Sequence, residues 1–310
     1  MKKQLFTLPL MLVAALMLML SACKKDDNTD DSVSAEDHAN VSNSLNASTD
    51  DAANIAGGIQ TLSGKTDGYI SICGATIDSS QKSSGIITVT YAAAGCGNGI
   101  NRTGTVTLTL QNYVSGTRWK DAGAVLQIDY NNLLITNVVT GAHITLNGTH
   151  YLTNETGGLA WRIMDGLDVG TVTHRHTATN FTLTFADGSV RTWSVNRLRT
   201  FTNNGSVKTV TVSSDHTENG VANADAWGTN RKGDAFVNAI ITPISSNSTC
   251  GYYHPTVGEF THKVANRMVD ILYGVDANGN PVSGTNCAYG LKITYTKNTL
   301  TKTKIVSYWF

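Results

Sequence analysis

Charge is scarce in this chain. Only 15% of its 310 residues are Asp, Glu, Lys or Arg, and the 23 basic side chains cancel the 23 acidic ones. So little charge excludes a disordered polyelectrolyte, and zero net charge excludes a dedicated nucleic-acid binder, which carries a basic excess against phosphates. The usual catalytic signatures are absent as well: no GxSxG elbow, no HExxH, no Walker loop and no kinase set. No CxxC spacing occurs, which excludes the common zinc and thioredoxin-like sites; neither a metal nor a cofactor is expected. What the chain does have is 29 Gly against 4 Pro, with a surplus of Thr and Asn, the composition of strands joined by tight turns.

The N-terminus carries the most specific motif. Lys2 and Lys3 precede an almost wholly apolar run from Leu5 to Leu20, as in a secretory signal. The run is too short and too near the terminus for a comfortable membrane span. It ends in Leu20-Ser21-Ala22-Cys23, which resembles the lipobox of a bacterial lipoprotein. That resemblance implies removal of residues 1–22 and acylation of Cys23. The charged run behind it, Lys24-Lys25-Asp26-Asp27 with Asp30 and Asp31, resembles the surface-export signal of Bacteroidota lipoproteins, so the expected location is the outer membrane, on its outer face.

Residues 23–60 read as a lipidated acidic spacer. Positions 24–60 hold eight acidic residues against two basic ones. Val41, Leu45, Ala52 and Ile55 fall near helical spacing, so a short helix over about 35–55 is expected, polar around most of its circumference and therefore spacer rather than core.

Residues 61–310 read as a single β domain. Ile87, Val89 and Tyr91 alternate with Thr88 and Thr90, and Val106, Leu108 and Leu110 alternate with Thr105, Thr107 and Thr109. Leu126, Ile128 and Tyr130 repeat the pattern, as do Ile293 and Tyr295; only 260–273 allows either period. Asn147-Gly148 and Asp187-Gly188 are two-residue hairpin signals. With Ala186 facing Ser189 in the second, Phe181, Leu183, Phe185 and Val190 share one face, while Arg191, Trp193, Arg197 and Arg199 collect on the other. An outward Trp among arginines suits a sugar or a carboxylated ligand; the alternatives are a cross-strand cation–π ladder or burial under a neighbouring loop. Trp119 joins these as a contact candidate.

Beyond Cys23, four cysteines remain in a chain read as exported, which suggests disulfides. Sequence permits three pairings; Cys73 with Cys96 and Cys250 with Cys287 close the shorter loops. Several motifs follow in order: Gly95-Cys96 with Asn101-Arg102-Thr103-Gly104, then Arg118-Trp119-Lys120-Asp121-Ala122-Gly123, Gly148-Thr149 with Thr153-Asn154, Asp187-Gly188 with Thr192-Trp193, and Asn230-Arg231-Lys232-Gly233. In that order they resemble a family of uncharacterised, Thr-rich β lipoproteins of the Bacteroidota. The resemblance implies an all-β fold and a cell-envelope location; it brings no activity.

Other chemistry is thin. His174 and His176 share a strand face and, with His216, could ligate a metal, but Arg175 between them adds positive field. Asp276, Asn278 and Asn280 alternate as in a calcium loop, yet Cys287 stands where a bidentate Glu belongs. Asp121, Asp129, Asp165, Asp168, Asp215, Glu218 and Asp225 are available to a hydrolase, and nothing in the sequence pairs them. The expectation is an all-β antiparallel meander, folded as a sandwich or a curled sheet, with a short N-terminal helix or spacer. Its expected role is a non-catalytic, lipid-anchored envelope protein, structural or glycan-contacting, with the membrane and envelope glycans as partners. The alternatives are a glycan-directed hydrolase and a carrier of lipophilic ligands.

Overall fold

The computed structural model describes residues 27–64, 72–93, 99–252, 254–265, 267–282, 286–297 and 300–308. Cys23, expected to be acylated, and Cys96, expected to pair with Cys73, lie outside these residues. The fold is all-β and antiparallel, as the alternation of Thr with aliphatic residues implies. Strands β1 (Ala75–Asp78), β2 (Ile86–Ala92), β3 (Ile100–Leu110), β4 (Ala124–Asn137), β5 (His143–Asn154), β6 (Gly170–Phe185) and β7 (Val190–Asn203) pair in sequence order.

The next column of the sheet is shared. β8 (Lys208–Ser213) pairs with the C-terminal half of β7, and β11 (Ala224–Thr229) with its N-terminal half; between them the chain leaves to form the small ribbon of β9 (Thr217–Glu218) and β10 (Val221–Ala222). β12 (Ala235–Asn247) then pairs with both β8 and β11. The meander finishes with β13 (Val257–Val264), β14 (Arg267–Val275), β15 (Gly290–Lys297) and β16 (Leu300–Ser307). The ambiguous stretch 260–273 is thus a hairpin.

The N-terminal segment departs from expectation. Residues Asp27–Gly58 form one 32-residue helix, α1, free of Pro and of Gly until it ends at Gly57-Gly58. It touches β3, β4 and β5 on one side and β14 and β15 on the other, so the sheet is curled around it. Ala35, Val41, Leu45, Ile55 and Ala56 are all within 1% of complete burial, and so is Ser44, while Ser34, Asp37, His38 and Ser48 are buried too. A helix polar around most of its circumference therefore occupies the centre of the molecule, and the reading of this stretch as a solvated spacer is corrected. Polarity signals exposure only when no polar partner lies opposite; here the concave face supplies one. Behind it come α2 (Gln60–Ser63) and, between β5 and β6, α3 (Ala160–Asp165).

A crease crosses the sheet. On β4 and β6 the pairs Asn131-Asn132 and Thr179-Asn180 both point outward, which leaves Tyr130 and Leu133, and Ala178 and Phe181, all facing inward. Asn132 and Asn180 sit at φ 51° and 52°. The neighbouring strands answer with glycine: Gly104 has φ 121°, and a Cβ there would lie 2.4 Å from the Asn132 carbonyl oxygen. Aligned bulges bend a sheet, and this line lets long strands wrap a helix. Gly148 belongs to the crease, inside β5, so the Asn147-Gly148 hairpin expected from sequence is not formed.

Candidate functional site: the bed of the central helix

The hairpin at Asp187-Gly188 decides which way the arginines face. It is a three-residue loop, with Phe185 N–H bonded to the Ser189 carbonyl at 2.9 Å and Gly188 at φ 78°, a type I turn closed by a left-handed residue. Leu183 therefore pairs with Arg191 and Phe181 with Trp193, one residue away from the expected register. A slip of one residue exchanges the two faces of a strand. Trp193, Arg191, Arg197 and Arg199 accordingly point inward beside Phe181 and Leu183, between 0% and 3% exposed, and the expectation of an outward contact face is corrected. Trp119 is buried too: its backbone N–H donates to Leu62 O and its carbonyl accepts from the Asn154 side chain, both at 2.8 Å, with its ring beside His174.

Each inward cation meets α1 or the strand beside it. Arg199 binds Asp50 and the Asn46 carbonyl. Arg197 pairs with Asp225 at 2.9 Å and donates twice to Ser42 Oγ at 3.2 Å. Arg231 clasps Asp37 with two nitrogens at 2.7 and 2.6 Å. Arg102 pairs with Asp51, and at the exposed edge Lys304 pairs with Glu36. Arg191 meets α1 without a carboxylate: it donates to the Ser34 carbonyl at 3.2 Å and lies 4.1 Å over the Phe236 ring, and its Nε and Nη2 have no hydrogen-bond partner among the described residues.

Burial sets the protonation states here. His38 is 3.8 Å from Asp225 and 5.0 Å, ring to ring, from Phe260; burial, helped by Arg197 and Arg191, holds it well below the ordinary imidazole range. Burial likewise pushes His150 and His174 down to about 3. His176 and His262 follow the same direction for the same reason. Burial raises the carboxyls of Asp37, Asp51 and Asp225, more than their arginines lower them. Desolvation also lowers the Arg191 guanidinium to about 10. Such a site stores charge in a dry interior.

The remaining candidates are structural or apart. His174 and His176 do share a face, but His216 lies elsewhere, stacked on Trp227, and no group of three metal-ligating side chains exists among the described residues. Asp121 bonds the Arg118 N–H and Lys120, Asp168 pairs with Arg162, Asp215 with Arg175, and Asp129 accepts from Thr149. Asp225 pairs with Arg197, and Glu218 lies 3.4 Å from His216. Cys250 and Cys287 form a disulfide with Cα atoms 5.1 Å apart, as expected, and Cys73 is disulfide-bonded. In the Asn230-Arg231-Lys232-Gly233 turn, Asn230 Oδ1 accepts from two backbone N–H groups, and the turn aims Arg231 at Asp37.

Asp37 and His38 were not singled out from sequence, and Asp225 and Arg231 entered only as an available carboxylate and as part of a turn motif. One signal could have found them: an acidic segment beside a β domain carrying 19 basic against 15 acidic residues over 61–310 asks for pairing. No protein-family model, no curated protein and no solved structure matches this chain.

Proposed function

We propose that this chain is a non-catalytic, structural protein of the bacterial cell envelope, anchored through acyl chains on Cys23 to the outer membrane and displayed on its outer face. The observation that best supports the non-catalytic reading is the use made of the concave face. Where an enzyme or a carrier of this shape would hold a cleft, the chain's own helix lies, with Asp37, Asp50 and Asp51 committed to arginines. A cavity of about 400 Å³ at the rim has a mixed wall, Glu36, Asp37, Asp187 and Arg231 beside Val33, Val41, Ile144 and Phe185, rather than the apolar wall throughout that a lipophilic carrier would present. Trp119, Trp193 and the arginines serve the interior, which favours a structural over a glycan-contacting role.

The anchoring reading rests on Leu20-Ser21-Ala22-Cys23 and on the charged run Lys24-Lys25-Asp26-Asp27 behind it. Two or more acyl chains hold a protein stably on a bilayer. Mass spectrometry of the N-terminal peptide from cell membranes tests it: acylated Cys23 is expected, together with loss of the domain to added protease on intact cells. An intact leader, or a soluble protein unaffected by Cys23→Ser, overturns it.

A further inference from the structure

We infer that the N-terminal half of α1, residues 33–46, is a strap that mild acid releases from the concave face while the strands stay paired. The two halves of the helix are held differently. Residues 47–62 contribute Ala52, Ala53, Ile55, Ala56 and Leu62 to the largest apolar cluster. Residues 33–46 add Val41 and Leu45 to that cluster but also bury Ser34, Asp37, His38, Ser42, Ser44 and Asn46, which depend on polar contacts.

Those polar contacts are incomplete. Arg191 Nε and Nη2, His38 Nδ1, His262 Nε2, Asn238 Nδ2 and Ser34 Oγ are buried without a hydrogen-bond partner among the described residues. A buried polar group left unpaired weakens the packing that buries it. The cavity of about 400 Å³ lies along residues 33–41, between the helix and the turns after β4 and β6, and leaves space for the strap to lift.

The titrating groups set the direction. His38 faces Ser42 on its own helix, Arg191, Arg197 and Trp193 from β7, Asp225 from β11, and Phe260 and His262 from β13. His150, His174 and His176 continue the same inner face beside Arg197 and Arg199. With the strap in place these imidazoles stay neutral, because a further cation would sit dry among guanidinium groups. Released into water, His38 and the uncovered His262 regain an ordinary range near 6.5, so below about that pH the open state binds more protons and gains up to about tenfold per pH unit for each. Asp37 and Asp225 work the other way, since burial raises their carboxyls and the docked state takes up their protons first. An arginine on each, Arg231 on Asp37 and Arg197 on Asp225, opposes that uptake, whereas the charges around His38 and His262 add to the effect of burial. Release brings Trp193, Arg191 and Arg197 to solvent.

Hydrogen exchange on the full-length chain at pH 7.5 and pH 5.0, corrected for the intrinsic rate, tests this. The opening of peptides from 33–46 is expected to rise at least tenfold at pH 5.0, with β3–β5 peptides unchanged, and His38→Phe is expected to shrink that rise. Equal protection of 33–46 at both pH values, or opening only together with the strands, overturns the proposal. So does an undiminished rise in a folded His38→Phe chain. Should that variant not fold, the wild-type comparison decides by itself.

Discussion

Arg231 holds Asp37 across 194 residues of sequence, through two hydrogen bonds, while its guanidinium lies 3.6 Å over the ring of Phe185. One side chain thereby joins the first turns of α1, the β6–β7 turn and the β11–β12 turn, since Arg231 also reaches Asp187 at 3.1 Å. Arg231→Ala leaves Asp37 buried without its partner. A loss of about 2 kcal/mol in urea unfolding is expected, less than for a fully buried pair because Arg231 is about one-third exposed. Arg231→Lys, which cannot bind with two nitrogens, should recover less than half of it.

Trp193 separates the two possible registers of the β6–β7 hairpin. Packed inward at 1% exposure, its replacement by Ala should cost about 3–5 kcal/mol in chemical denaturation. An outward Trp193 would cost under about 1 kcal/mol.

The crease makes a paired test. Gly104→Ala sets a Cβ 2.4 Å from a backbone oxygen at φ 121° and should cost more than about 3 kcal/mol or prevent folding. Gly123→Ala, at φ 80° with open space around it, should cost about 1 kcal/mol, the strain of a left-handed residue alone.

Acid should weaken the whole fold as well as the strap. The folded-state pKa of His150 and of His174 lies near 3, below the unfolded value, so their contribution is full above about pH 6.5 and declines as pH falls towards 3. Urea titrations between pH 7 and pH 5 should show proton uptake on unfolding, with stability falling by about 1 kcal/mol per pH unit or more. Flat stability over that interval would contradict neutral buried imidazoles.

The disulfide joins the β12–β13 and β14–β15 connections, 37 residues apart. Replacing Cys250 and Cys287 together by Ser should lower stability by about 3 kcal/mol, measured against wild type under non-reducing conditions.

The strands were legible because each buries one face: Val106, Leu108 and Leu110 alternate with Thr, and the structure pairs them as that alternation requires. The pairing of Cys250 with Cys287 was legible from loop closure. The inner charge network was not. Asp50 and Arg199 look exposed one at a time, and only their pairing across 149 residues makes burial tolerable. The facing of Trp193 turned on a single turn residue, since Asp187-Gly188 serves a two-residue and a three-residue hairpin equally well. The crease escaped because a two-residue outward bulge resets the alternation in mid-strand, as at Asn131-Asn132.

The shape of the curled sheet bears on the order in which the molecule assembles. Neighbouring strands are neighbours in sequence, so hairpins can form locally and early. The helix they enclose is made first, yet its contacts extend to β14, β15 and, through Glu36 and Lys304, to a residue 268 positions away. An acidic helix must therefore wait for the last hairpin before its surroundings are complete. Truncation anywhere after β13 should leave a chain with paired strands and α1 uncovered on its β14–β15 side, a state prone to aggregate.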